Sequence, residues 1–291
     1  MNPTPQRLTI LVIVLAATVA AGIVVLWPPY EYQGRTVSEW LSDLRGGGPS
    51  SDRERAQDAF RAMGSEALPG LREVLRERPD SLRARLRGWV RKSRLMKEPA
   101  IDPSELRRCA MQAALFLGKD AGVDTSRLVP LLSAQYAQID YVETGSARAL
   151  AWAGPSGIAA LTNFLRTGEP GRRQGAGWAL SIDPETRRRP GVQEALIRGA
   201  LEDPDPKVRA DLVLYLSLFG PDGDASRLVP VGIRFLSDTN AQARWMGAKL
   251  LSSQAQSPDA RIALERALHD TVDQVRSTAQ EALKRPALVP R

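Results

Sequence analysis

Two hydrophobic patterns divide the chain. Residues 8–27, LTILVIVLAATVAAGIVVLW, form an apolar run of twenty residues without a charge. After it the apolar positions recur at helical spacing in short blocks. In Val208–Phe219 they fall at Val208, Leu212, Tyr215, Leu216 and Phe219, one stripe of an α-helix. Period-two alternation of useful length is missing, so strands are not expected.

The blocks repeat. SRLVP occurs at Ser126–Pro130 and again at Ser226–Pro230. Positions near Arg107, Glu143, Arg173, Arg209, Arg244 and Arg276 are spaced by 36, 30, 36, 35 and 32 residues. Each unit reads as two short helices, the first rich in Ala and Leu. Gly118, Gly154 and Gly220 stand where first helices should end. Asp203-Pro204-Asp205-Pro206 reads as a turn offering an N-cap to the next helix. One such pair cannot hide its apolar stripe, but stacked neighbours bury a continuous core. The expected fold is all-α: a right-handed-stacking α-solenoid of about six helical hairpins over residues 37–285. Its second helices are expected around Pro69–Leu75, Leu128–Leu132, Ile158–Leu165, Val192–Leu201 and Leu228–Leu236.

The pattern VRADLVLYLSLFG followed by LVPVGIRFLSD resembles HEAT repeats, and the short period resembles the compact phycobilisome-lyase variety. Tyr32–Arg45, YQGRTVSEWLSDLR, looks like the lead-in helix of bacterial membrane-anchored HEAT-repeat proteins. The resemblance covers about residues 35–285 and implies a solenoid while saying nearly nothing about function. Two departures stand out: Glu143 occupies an arginine position, and 54 residues separate Arg53 from Arg107.

About twenty residues of helix span a bilayer core. Residues 8–27 therefore read as a transmembrane signal-anchor, after a tail of residues 1–7 and before a linker, 28–36. Trp27 and Tyr30 suit an aromatic belt, and Pro28-Pro29 ends the helix. A cleaved signal peptide with Val19-Ala20-Ala21 at the cut is the competing reading, but the apolar run continues past it. Arg7 favours a cytoplasmic amino terminus, which puts the solenoid outside the cytoplasm, as at a bacterial inner membrane facing the periplasm.

The charge balance is +7, from 40 Lys+Arg against 33 Asp+Glu. Arg76–Arg108 holds 11 Lys/Arg and 5 Asp/Glu, so the insertion near 80–103 supplies most of the excess. There Leu82, Leu86, Trp89 and Met96 share one helical face, while Arg83, Arg87, Arg91, Lys92 and Arg94 are candidates for binding an anion or a partner. Such a helix could meet an anionic lipid surface, or it could be a solvated solenoid face. Arg187-Arg188-Arg189 form a second basic candidate in a loop.

One cysteine, Cys109, and one histidine, His269, exclude an intrachain disulfide and any two-histidine site within the chain. Cys109 among alanines reads as buried, His269 as a loop or cap residue. Trp152, Trp178 and Trp245 read as core or groove-lining, and Trp40 as a cap over the first repeat. Asp203, Asp205, Asp238, Asp270 and Asp273 suit turns and caps better than calcium. No phosphate loop, dinucleotide fingerprint or nucleophile elbow is present. No cofactor, metal or catalytic residue is expected, nor nucleic acid. The expected role is a non-catalytic scaffold with a protein or peptide partner. Alternatives are an enzyme of HEAT-like fold, bilin-lyase-like or DNA-glycosylase-like, and a binder of anionic lipid.

Overall fold

The computed structural model describes residues 31–45, 50–76, 101–138 and 144–284. They form a mostly helical repeat solenoid in two compact units, meeting in sequence between Leu117 and Gly118.

The first unit opens with a hairpin, β1 (Glu31–Tyr32) antiparallel to β2 (Arg35–Thr36). This departs from the strand-free expectation. Two-residue strands have no period to read, and the hairpin is set by Gln33 and Gly34, both at positive φ, as a tight hairpin turn requires. Helix α1 (Val37–Asp43) follows at once. Its capping box joins Thr36 and Glu39: the Thr36 hydroxyl accepts from the Glu39 amide, and the Thr36 amide donates to Glu39 Oε2. Trp40 is buried, donates Nε1–H to the Tyr32 carbonyl, and lies under the Arg35 guanidinium at 4.1 Å. Helix α1 packs on α2 (Ser50–Met63) and α3 (Leu68–Arg76), as the cap expected of Trp40. Gly70 makes that seam possible, since a Cβ there would come within 2.7 Å of Val37 Cβ. Helix α4 (Pro103–Lys119) runs to the end of this unit and supplies Cys109, Ala110, Ala113, Ala114 and Leu117 to the core.

The second unit is a regular stack. Its helices are α5 (Val129–Gln138), α6 (Thr144–Trp152), α7 (Gly154–Thr167), α8 (Pro170–Ile182), the single turn α9 (Pro184–Arg187), α10 (Val192–Glu202), α11 (Pro206–Ser217), α12 (Ala225–Leu236), α13 (Ala241–Ser253), α14 (Pro258–Ala267) and α15 (Asp273–Lys284). Helices α6, α8, α11, α13 and α15 pack on one another as first helices, while α5, α7, α10, α12 and α14 form a parallel row of second helices. The first helices are covered from both sides, which is why they are alanine-rich. Ala147, Ala149, Ala151, Ala176, Ala179, Ala248 and Ala279 are all fully buried. Two glycines mark the closest approaches. A Cβ on Gly177 would meet Leu212 Cδ2 at 2.3 Å, and one on Gly247 would meet the Leu236 amide at 2.7 Å and the Gly232 carbonyl at 2.9 Å.

The helix-ending glycines divide. Gly154 and Gly220 have positive φ beyond α6 and α11, as expected. Gly118 instead lies inside α4, where a side chain would press within 3.0 Å of the Trp152 carbonyl. Close packing, not a left-handed cap, fixes that glycine.

The expected membrane location is corrected. Among the described residues no helix is long and apolar enough to cross a membrane. The longest, α4, has 17 residues, about 25 Å of helix, and carries Glu105, Arg107, Arg108 and Lys119. The apolar segment 8–27 lies outside the described residues, as does nearly all of the basic insertion. The single-pass, extracytoplasmic placement therefore has no helix among the described residues to carry it.

Candidate functional site

Recurring arginines fix the register of the stack. In the first turn of each of four first helices, an arginine reaches back to carbonyls of the preceding turn. Arg173 donates to the Gly168 carbonyl, Arg209 to Asp203 and Pro204, Arg244 to Asp238 and Thr239, and Arg276 to Asp270. Two of them also clamp an aspartate one repeat on. Arg173 meets both carboxylate oxygens of Asp203 at 2.7 and 2.8 Å, and Arg244 meets those of Asp270 at 2.8 and 3.2 Å. The aspartates also shape their own turns: Asp203, Asp238 and Asp270 accept from the amides of Asp205, Asn240 and Val272. Asp205 caps α11. Of the five aspartates read from sequence as turn and cap residues, these four do that work, while Asp273 opens α15 and pairs with Arg276.

A second polar centre gathers three repeats. Asp183, between α8 and α9, is 7% exposed. It accepts from Lys119 Nζ at 2.6 Å and Trp152 Nε1 at 3.1 Å, with Arg148 at 3.9 Å. Burial alone would raise its pKa. The hydrogen bonds from Lys119 and Trp152, with the charges of Lys119 and Arg148, outweigh it and hold the carboxyl below the usual range. Lys119 Nζ lies 5.5 Å and the Arg189 guanidinium 6.0 Å from the centre of the Trp152 ring. Arg187, read from sequence as a ligand-binding candidate, closes the end of α8 by donating to the Ser181 and Ile182 carbonyls. Arg188 is exposed and Arg189 half-buried. With Arg227 these three arginines line a cleft of about 440 Å³ at the start of α10 and α12.

A groove opens in the second-helix row between α12 and α14. This groove, about 1070 Å³, is floored by Val229, Leu236 and Ala263 and flanked by Ile233 and Ile262, which are 39% and 48% exposed. Arg234, Arg266, His269 and Asp259 stand at its edges. The floor belongs to a core in which Ala248, Leu251, Leu264, Val275 and Ala279 are buried, so the groove has a fixed base.

Arg83, Arg87, Arg91, Lys92 and Arg94 lie outside the described residues. Cys109 is 1% exposed, and burial pushes its thiol pKa up. It is not poised as a nucleophile. His269 sits in the turn after α14, at the groove edge. Trp152 is half-buried at the Asp183 centre, and Trp245 packs against the last core. Among the described residues no group of three or more His, Cys, Asp or Glu is placed to hold a metal ion. Sequence reasoning missed Ile262 and Asp183, and reached Ile233 only as part of the second-helix stretch Leu228–Leu236. A signal existed for Ile262: it falls off the stripe formed by Ala260, Ala263, Leu264 and Ala267, where an apolar residue has no intramolecular reason to be. Nothing local marks Asp183, whose partners lie 31, 35 and 64 residues away.

Residues 193–284, essentially α10 through α15, match the family of HEAT repeats. The resemblance drawn from the sequence is borne out over that stretch. No curated protein matches the chain. Similar solved structures include a designed armadillo repeat protein in complex with the peptide (KR)4, at 14% identity over 86% of this chain and 99% of that one, TM-score 0.41. The complex of CpcE and CpcF of phycocyanin lyase from Nostoc sp. PCC7120 is 16% identical over 89% and 97%, TM-score 0.34. Human deoxyhypusine hydroxylase in complex with glycerol is 16% identical over 85% and 94%, TM-score 0.29. Likeness this distant says nothing of activity.

Proposed function

We propose that this protein is a non-catalytic scaffold that holds a protein or peptide segment against its second-helix row, with the groove between α12 and α14 as the seat. The carrying observation is the pair Ile233 and Ile262, both exposed and both lining one groove above a rigid apolar floor. An isolated exposed isoleucine is ordinary; two converging on one concavity favour a bound segment. Covering the part of each that is still exposed, 39% and 48%, would contribute roughly 1 kcal/mol apiece. An amphipathic helix laid in such a groove places residues at i, i+3 or i+4, and i+7 against it.

Selection of displayed random peptides against the full chain tests this. Selected peptides should lose binding when Ile233→Asp and Ile262→Asp are combined, while circular dichroism shows the helical fold retained. Peptides whose binding ignores both changes would place the seat elsewhere.

A further inference from the structure

The groove between α12 and α14 is electrically polarised along its length. One face of α14 presents Asp259, Ile262, Ala263 and Arg266, at i, i+3, i+4 and i+7, and all four line the groove. On the other wall α12 presents Ser226, Val229 and Ile233, with Arg234 beside Ile233. Bridges at both ends fix how these helices lie. Arg244 joins the turns that follow them, donating to the Asp238 and Thr239 carbonyls after α12 and to the Asp270 carboxylate after α14. Gln254, ahead of α14, donates to the Gly220 carbonyl ahead of α12. The two helices therefore run side by side in one direction. Arg234 and Arg266, each in the last turn of its helix, share one end of the groove, and Asp259, in the first turn of α14, stands at the other.

These three charges are unspent. Arg234, Arg266 and Asp259 are exposed and make no ion pair among the described residues. Asp270, the other carboxylate on the groove, is held by Arg244. Seven positions separate Asp259 from Arg266, about 10 Å of helix axis, with the exposed Ile262 between them.

Resting on the reading of this groove as a seat, we infer that its occupant is an amphipathic helix of fixed charge order and direction. It carries an acidic residue first, apolar residues three and four positions on, and a basic residue at seven, and it lies antiparallel to α12 and α14. Its carboxylate meets Arg234 and Arg266, its apolar pair covers Ile233 and Ile262, and its cation meets Asp259. Guanidinium groups take carboxylates in paired, charge-assisted hydrogen bonds. The direction follows from the helix macrodipole. An acid stabilises the first turn of a helix and a base the last, so acid before base is the order a helix favours. Only the antiparallel arrangement lays that order onto these charges.

The test takes the peptides from the selection above whose binding depends on Ile233 and Ile262, aligned on their apolar pair. Acidic residues should be enriched three or four positions before the pair and basic residues three or four after it. Selection against the full chain carrying Arg234→Gln, Arg266→Gln and Asp259→Asn should erase that enrichment, whereas a helix's own preference for the order would survive the change. The affinity of an acid-first binder should fall about tenfold in this variant at low salt, and by less at ~0.3 M, where screening already weakens the parent. A photo-cross-linker on the first residue of such a binder should attach near Ser237 and His269, and one on the last residue near Ser226 and Ser257. Isoleucine-dependent binders without a charge pattern, a pattern that persists in the variant, or cross-links at the opposite ends overturn this inference and leave the groove reading standing. Absence of any isoleucine-dependent binder overturns both. Circular dichroism checks that the triple variant folds; if it does not, Arg266→Gln alone should still weaken an acid-first binder, and an unchanged affinity overturns the proposal.

Discussion

Replacing Asp203 by Asn removes one charge and little else, which makes it a sharp probe of what holds the repeats in register. Arg173 and Asp203 are 8% and 6% exposed and meet through two hydrogen bonds of 2.7 and 2.8 Å. Two unit charges about 4 Å apart at an effective dielectric constant of about 20 attract by roughly 4 kcal/mol. Removing one partner leaves the other charge buried and uncompensated, a loss of about 3 kcal/mol or more. Asn keeps an acceptor for the Asp205 amide, so the local turn survives. Urea unfolding followed by circular dichroism gives the global change. Hydrogen exchange in α8 and α11 shows whether the loss concentrates at this seam, as nearest-neighbour stacking requires. Arg173→Met should cost a similar amount, and the double variant should cost well under the sum, with a coupling above about 1.5 kcal/mol. A loss below about 1 kcal/mol for Asp203→Asn, or strictly additive losses, would show that the pair behaves like a solvated surface bridge.

Gly247→Ala should lower the melting temperature, although alanine favours a helix by up to about 1 kcal/mol. The new Cβ would strike backbone atoms of Gly232 and Leu236, and such overpacking costs about 1–3 kcal/mol; a stabilised variant would show that α12 and α13 can part freely. The lowered pKa of Asp183 means that its stabilisation is present above the ordinary carboxylate value and lost as pH falls through the lowered one. Asp183→Asn should therefore be less stable than the parent at pH 7, with a deficit that shrinks below pH ~4 in thermal scans; a deficit constant with pH would assign the loss to packing. Asp211 is shifted the opposite way, raised by burial and by the nearby charge of Asp205, so its ionisation works against folding as pH rises. Asp211→Asn, which can still accept from Gln174, should be slightly more stable at pH 7, by under about 1 kcal/mol, and no more stable in acid; equal gains at both values would contradict the sign of the shift.

What the sequence by itself determined was everything carried by local spacing. Of the stripe Val208, Leu212, Tyr215, Leu216 and Phe219, all are buried as the periodicity requires except Tyr215, which is half-buried. The helix-ending glycines after α6 and α11, the turn at Asp203–Pro206 and the second helices around Val192–Leu201 and Leu228–Leu236 follow from residues within a few positions of each other. Even the buried fate of Cys109 was legible from its alanine neighbours. Tertiary structure alone decided which surfaces remain uncovered. Ile233 and Ile262 are apolar like their buried neighbours, and only the spacing of α12 from α14 leaves both facing one groove. Asp183 meets Lys119, Arg148 and Trp152 because the stack brings the ends of successive first helices together, and no window of sequence contains that neighbourhood. Arg187 shows the same division: its charge was plain in the sequence, but its use in closing the end of α8 depends on where the chain turns. Periodicity fixes which face of a helix seeks cover, whereas the distance between neighbouring helices fixes how much of that cover it gets.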